Sequence, residues 1–96
     1  MIVSFGSAAT EDVHHGLNSG RARTFSAEVK KVARRKMVMI AASVNVVDLR
    51  VPPGNRLEQL QGKLAGLWSV RVNDQWRIIF RWADGAASDV TLVDYH

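Results

Sequence analysis

The sequence predicts an α+β fold, with helices packed on one face of a twisted antiparallel sheet. Three observations carry this prediction. Apolar and polar residues alternate over 67–72, 76–82 and 89–95, the period of a half-buried strand. An apolar stripe at steps of three and four residues runs through the middle of the chain, the period of an amphipathic helix. The three alternating stretches are joined by short connections, and strands joined by tight turns must be antiparallel.

In chain order, Ile2-Val3-Ser4-Phe5, ended by Gly6, reads as a first strand. Residues 7–17 read as a short helix with Ala8, Ala9 and Val13 on one side, followed by a loop at Asn18-Ser19-Gly20. Thr24 or Ser26 caps a main helix that reaches to about Ala42. Its stripe is Phe25, Val29, Val32, Ala33, Met37, Ile40 and Ala41. Residues 44–49 form a short turn or strand, and Pro52-Pro53-Gly54-Asn55 is a turn. Residues 57–60 extend the sheet.

The register of the next two strands follows from parity. Trp68, Val70 and Val72 must face the same core as Trp76, Ile78, Phe80 and Trp82, because a slip of one residue turns a strand inside out. That sets Val72 opposite Trp76 across Asn73-Asp74-Gln75. It also sets Arg71 directly opposite Arg77 on the outward face. Like charges in that position destabilise a sheet, so the two arginines are either solvated or await an anion.

Ninety-six residues are the size of one domain, taken here as 1–96. A chain that is 47% hydrophobic and 23% charged is too apolar for a disordered one. It has no cysteine, which excludes disulfides and thiolate metal sites. The adjacent His14 and His15 have no third ligand at a metal-site spacing, so no metal and no cofactor are expected. The longest nearly uncharged run, 37–47, is too short to span a membrane. The opening residues lack the pattern of a secretion signal, and the expected location is the cytoplasm. The net charge of +4 is concentrated between Arg21 and Lys36, with seven basic residues against Glu28 alone. Lys30, Lys31, Arg34 and Arg35 fall largely off the apolar stripe, giving the helix a basic flank suited to a polyanion, above all RNA.

Phosphate-loop, GxSxG and HExxH patterns are absent. What remains is Arg71 and Arg77 on an open sheet face, nearby Lys63, and the ending Asp94-Tyr95-His96. Arginine supplies permanently charged planar donors to phosphate oxygens, histidine exchanges protons near neutral pH, and tyrosine hydrogen-bonds or stacks on a base. Without a metal, RNA is cut by attack of a 2′-OH on the adjacent phosphate. That reaction needs a base, charge stabilisation and an acid at the leaving oxygen. Taken singly, each of these residues is more often part of a solvated face, a packed ring or a frayed end.

Three stretches, 49–58, 66–78 with Gly62 before it, and the ending Val93-Asp94-Tyr95-His96, resemble the HigB-type toxins of the RelE-like superfamily of type II toxin–antitoxin systems. The resemblance is specific over 49–96 and looser before it. It implies a microRNase fold and a metal-independent endoribonuclease that cuts mRNA in the ribosomal A site and so halts translation. It implies a HigA-type helix-turn-helix antitoxin as partner, with operator DNA contacted only through the complex. Position by position, it implies that Arg71 and Arg77 hold the scissile phosphate, that Tyr95 or His96 transfers a proton or orients a base, and that Asp94 orients. Glu58 matches a position that is acidic in some members and histidine in others, a candidate general base. The chain departs from the family at Leu60-Gln61-Gly62, where members usually have Leu-Lys-Gly. Lys63, two residues on, would share a face with position 61 along a strand. The alternative reading is a toxin-fold module with weakened catalysis that mainly binds its antitoxin or RNA.

Overall fold

The computed structural model describes residues 1–95. Two helices lie on one face of a four-stranded antiparallel sheet of order β1-β2-β3-β4. The strands are β1 (Glu58–Gln59), β2 (Leu67–Arg71), β3 (Trp76–Ala83) and β4 (Ala86–Asp94).

Helix α1 spans Ala8–His14 and is capped by Ser7, whose side chain accepts from the Thr10 N–H at 3.1 Å. Its buried residues are Thr10, Asp12 and Val13, whereas Ala8 is exposed, contrary to the alanine face expected from the sequence. Thr10 is fully buried because its hydroxyl accepts the Leu92 N–H at 3.0 Å, which fastens α1 to β4. Asp12 is buried because it accepts from Ser19 Oγ and Arg21 Nε, each at 2.7 Å. These bonds order the loop between the helices.

Helix α2 spans Ala27–Ala42. Of the two candidate caps, Ser26 serves, accepting from the Val29 N–H at 3.1 Å, while Thr24 bonds back to the Arg21 carbonyl. The buried positions are Val29, Ala33, Lys36, Met37 and Ile40. The stripe therefore holds as expected, with one lysine within it.

The core fills the space between α2 and the even-numbered side of β2 and β3. Val70, Val72, Ile78 and Phe80 meet Val29, Ala33, Met37 and Ile40, with Trp68, Trp76 and Trp82 packed at the margin. The predicted register is observed: Val70 pairs with Ile78 and Arg71 with Arg77, and the Val72 N–H donates to the Trp76 carbonyl at 2.9 Å. The connection is held by the Asn73 side chain, whose Oδ1 accepts from the N–H groups of Gln75 and Trp76 at 2.8 and 2.7 Å. Asp84 and Gly85 turn β3 into β4 with φ of 52° and 75°. This is the doubly left-handed two-residue hairpin that suits the sheet's twist.

Four expectations need correction. β4 begins at Ala86, earlier than the apolar pattern indicates, because Ala86, Ala87 and Ser88 carry little hydrophobic signal. The opening segment is no full strand. It makes two parallel bridges to β4, Ile2 with Ala87 and Phe5 with Val90, around Asp89, which has a φ of 53°. The 57–60 stretch contributes only Glu58 and Gln59 to the sheet, opposite Ser69 and Trp68. Lys63 lies in a 3-10 turn, Gly62–Leu64, entered through Gly62 at a φ of 65°. The strand argument that aligned it with position 61 therefore fails.

Candidate active site

The face of the sheet away from the helices carries the odd-numbered residues of β2 and β3. By register, Glu58, Ser69, Arg71 and Arg77 share it. Sequence parity left this face open to solvent. The structure instead shows both arginines engaged, each with its own carboxylate. Arg77 Nη1 pairs with Glu58 Oε1 at 2.9 Å, and Arg71 Nη2 pairs with Asp74 Oδ1 at 2.6 Å. Two internal anions thus relieve the like-charge register. The Arg71 guanidinium, by its hydrogen bond and its charge, holds the Asp74 carboxyl below the usual carboxylate range.

The two pairs differ in depth. The Arg77 side chain is only 12% exposed and Glu58 is 50% exposed, whereas Asp74 is fully exposed. An exposed pair such as Arg71–Asp74 adds little to stability because water screens it. Arg77 is held on every side. Its Nε donates to the Oγ of Ser69, a residue with no exposed surface. Its Nη2 donates to the Arg56 carbonyl at 2.8 Å, and the Tyr95 ring lies 5.5 Å from its Cζ, within cation–π range.

The Arg56 carbonyl is aimed by a second device. Asn55 is buried and donates through Nδ2 to the carbonyls of Leu49 and Val51 at 3.0 and 3.4 Å. Its Oδ1 accepts from Lys36 Nζ. The next residue, Arg56, turns through a left-handed φ of 45° into β1. Burial, and then the charges of Arg35 and Arg71, push the Lys36 ammonium below its ordinary range. Sequence reasoning missed Ser69, Asn55 and Lys36. For Lys36 a signal existed, since it stands seven residues after Val29 and four before Ile40, on the stripe itself.

Glu58, Arg71, Arg77 and Tyr95 therefore converge. Asp94 lies at the end of β4, where its Oδ2 accepts from Gln75 Nε2 at 3.0 Å, and the Tyr95 N–H donates to the Gln75 carbonyl at 2.8 Å. The β2–β3 connection thus ties the end of the chain to the arginine cluster. His96 lies outside the described residues. Among the described residues the contacts of the cluster do not include Lys63, and Gln61 is exposed at the start of the same turn.

The basic flank is separate from this cluster, on the helix side of the sheet. Lys31, Arg34 and Arg35 are exposed and Lys30 is half-buried. A groove of about 370 Å³ runs beside them, lined by Val13, Gly16, Leu17, Asn18, Lys30, Lys31 and Arg34. Among the described residues no His, Cys, Asp or Glu group is arranged to hold a metal ion, and no helix is long and apolar enough to cross a membrane.

This architecture recurs in solved toxin structures. The chain superposes on a YafQ variant from E. coli with a TM-score of 0.65 at 15% identity, covering 98% of this chain and 93% of that one. It superposes on a YoeB–YefM complex from Staphylococcus aureus with a TM-score of 0.63 at 18% identity, covering 100% and 98%. The fold is therefore that of the RelE-like toxins. Residues 13–96 match the family described as RelE-like toxin of type II toxin-antitoxin system HigB. Over 76 residues, 79% of each chain, the sequence is 43% identical to Toxin HigB-1 of Vibrio cholerae serotype O1. The chain belongs to the HigB-like toxin family and is the toxin of a type II toxin–antitoxin system.

Proposed function

We propose that this toxin is a ribosome-dependent, metal-independent mRNA endoribonuclease acting in the cytoplasm. The single observation that supports this best is the convergence of Arg77, Arg71, Glu58 and Tyr95 on one face of the sheet. RelE-family toxins are endoribonucleases in general, and this cluster contains the groups that 2′-OH attack on a phosphodiester requires. Arg71 and Arg77 take the scissile phosphate and stabilise the charge that builds on it. Glu58, beside that phosphate, accepts the 2′-OH proton. Tyr95 and His96 serve the leaving 5′-oxygen or orient the base, and Asp94 orients them. Lys30, Lys31, Arg34 and Arg35 hold ribosomal RNA phosphates on the other side of the molecule. A HigA-type helix-turn-helix protein neutralises the toxin and carries the operator contacts. A structure related to this chain is itself a toxin–antitoxin heterotetramer, YoeB–YefM from Staphylococcus aureus.

The test is Arg77→Ala, assayed for growth arrest and for cleavage of mRNA on purified ribosomes. Loss of one donor of this kind lowers the rate roughly 10²–10³-fold, about 2.7–4 kcal/mol. Because Arg77 also joins Ser69, Arg56 and Glu58, a circular dichroism melt must show the variant folded. A folded variant that cleaves at the parental rate would contradict the assignment.

A further inference from the structure

We infer that Glu58 occupies, in the resting protein, the position on Arg77 that an RNA phosphate takes, so that substrate binds by exchange of one anion for another. The inference rests on the reading of Arg77 as a phosphate ligand.

Arg77 is closely engaged in the resting protein. Each nitrogen of the Arg77 guanidinium has a partner: Nε has Ser69 Oγ, Nη2 has the Arg56 carbonyl, and Nη1 has Glu58. Its Cζ lies over the Tyr95 ring. With the side chain only 12% exposed, an incoming phosphate competes with these partners for the guanidinium.

The three partners are not equally replaceable. Ser69 is fully buried in β2. The Arg56 carbonyl follows a turn anchored through buried Asn55 to Leu49, Val51 and Lys36. Glu58 is half-exposed and sits on β1, a strand of two residues. That strand is bounded by left-handed backbone at Arg56 and Gly62. A rotation of the Glu58 side chain vacates Nη1 and leaves the other two bonds intact. A carboxylate oxygen at 2.9 Å also matches the distance and charge of a phosphate oxygen on arginine.

Arg71 sets the order of events. Its carboxylate partner Asp74 is fully exposed, so water and salt already compete for that pair. The phosphate meets Arg71 first, and Arg77 follows as Glu58 swings out. The displaced carboxylate is then next to the substrate without a counter-ion, ready to accept a proton. The clamp thus keeps the base occupied until RNA is present.

The test uses ribosomes programmed with an mRNA carrying 2′-O-methyl groups at the A-site codon, which binds but cannot be cut. Glu58→Gln removes the internal anion and is expected to tighten binding about 2- to 5-fold, the upper part of the range for one ion pair that water partly screens. The salt dependence of its log Kd should steepen by about 0.7, the value per phosphate neutralised on a single strand. On unmethylated mRNA, KM and kcat should fall together. Asp74→Asn, with the same change of charge, should alter binding less than about twofold, as expected for an exposed pair. Equal tightening by both variants indicates a general charge effect and overturns the exchange. Unchanged or weaker binding by a folded Glu58→Gln, with binding lost in Arg77→Ala, overturns the exchange and leaves the phosphate reading standing. Undiminished binding by Arg77→Ala overturns both.

Discussion

Arg77 carries the clearest lesson at the scale of single residues. Parity of the strands put it opposite Arg71 without reference to any structure, and the register agrees. Parity is a local property, so the sequence displays it. What satisfies Arg77 is not local. Glu58 and the Arg56 carbonyl lie 19 and 21 residues earlier in the chain. They reach it only because Asn55 fixes the turn before β1. Gln61 belongs to the same edge. It is exposed, one residue beyond Leu60, whose N–H bonds the Leu67 carbonyl at 2.8 Å. Because the nearby Lys63 is in a 3-10 turn, strand alternation gives it no place beside position 61. Gln61→Lys is accordingly expected to raise kcat/KM for mRNA cleavage by roughly 10-fold, the equivalent of about 1.4 kcal/mol from one charge-assisted contact. An unchanged rate on programmed ribosomes would mean that the site needs no cation there. Growth arrest only after the substitution would favour the module with weakened catalysis.

At the scale of elements, periodicity found α2 and both long strands because their buried residues are mostly apolar. It misjudged the pieces that are buried by polar bonds. α1 is seated by Thr10 and Asp12 rather than by alanines. Lys36 counts towards the basic cluster of 21–36 on charge, yet it lies inside the stripe and reaches Asn55. Asp12 yields a pH prediction. Its hydrogen bonds from Arg21 and Ser19 hold its carboxyl below the ordinary carboxylate value. A depressed carboxyl stabilises the fold at pH values above that ordinary value, and this contribution is lost as pH falls through the folded-state value. Asp12→Asn should lower the Tm at pH 7, with the gap to the parent closing as the pH is taken below 3.8. Thermal melts from neutral to acid pH check this, and a gap that stays constant would show that the ion pair is not its source.

For the whole molecule, the sheet divides two surfaces. One holds the paired arginines, Glu58 and Tyr95. The other holds the basic flank of α2 beside its groove. Such a division suits a protein that grips a large RNA assembly with one side and handles a single strand with the other. The α+β architecture and the identity of the arginine pair were legible in the sequence, because alternation, turn residues and the helical stripe agree with one another. The state of the site was not legible, because the carboxylate clamp depends on edge pairing across a turn that no periodicity describes. The activity proposed for this face is cleavage of mRNA on the ribosome. Mapping of mRNA 5′ ends after induced expression, with a folded Arg77→Ala variant beside the parent, tests it most directly. New 5′ ends inside translated reading frames are expected with the parent, and their loss in the variant. Growth arrest without new ends, or the same ends in both, would contradict it.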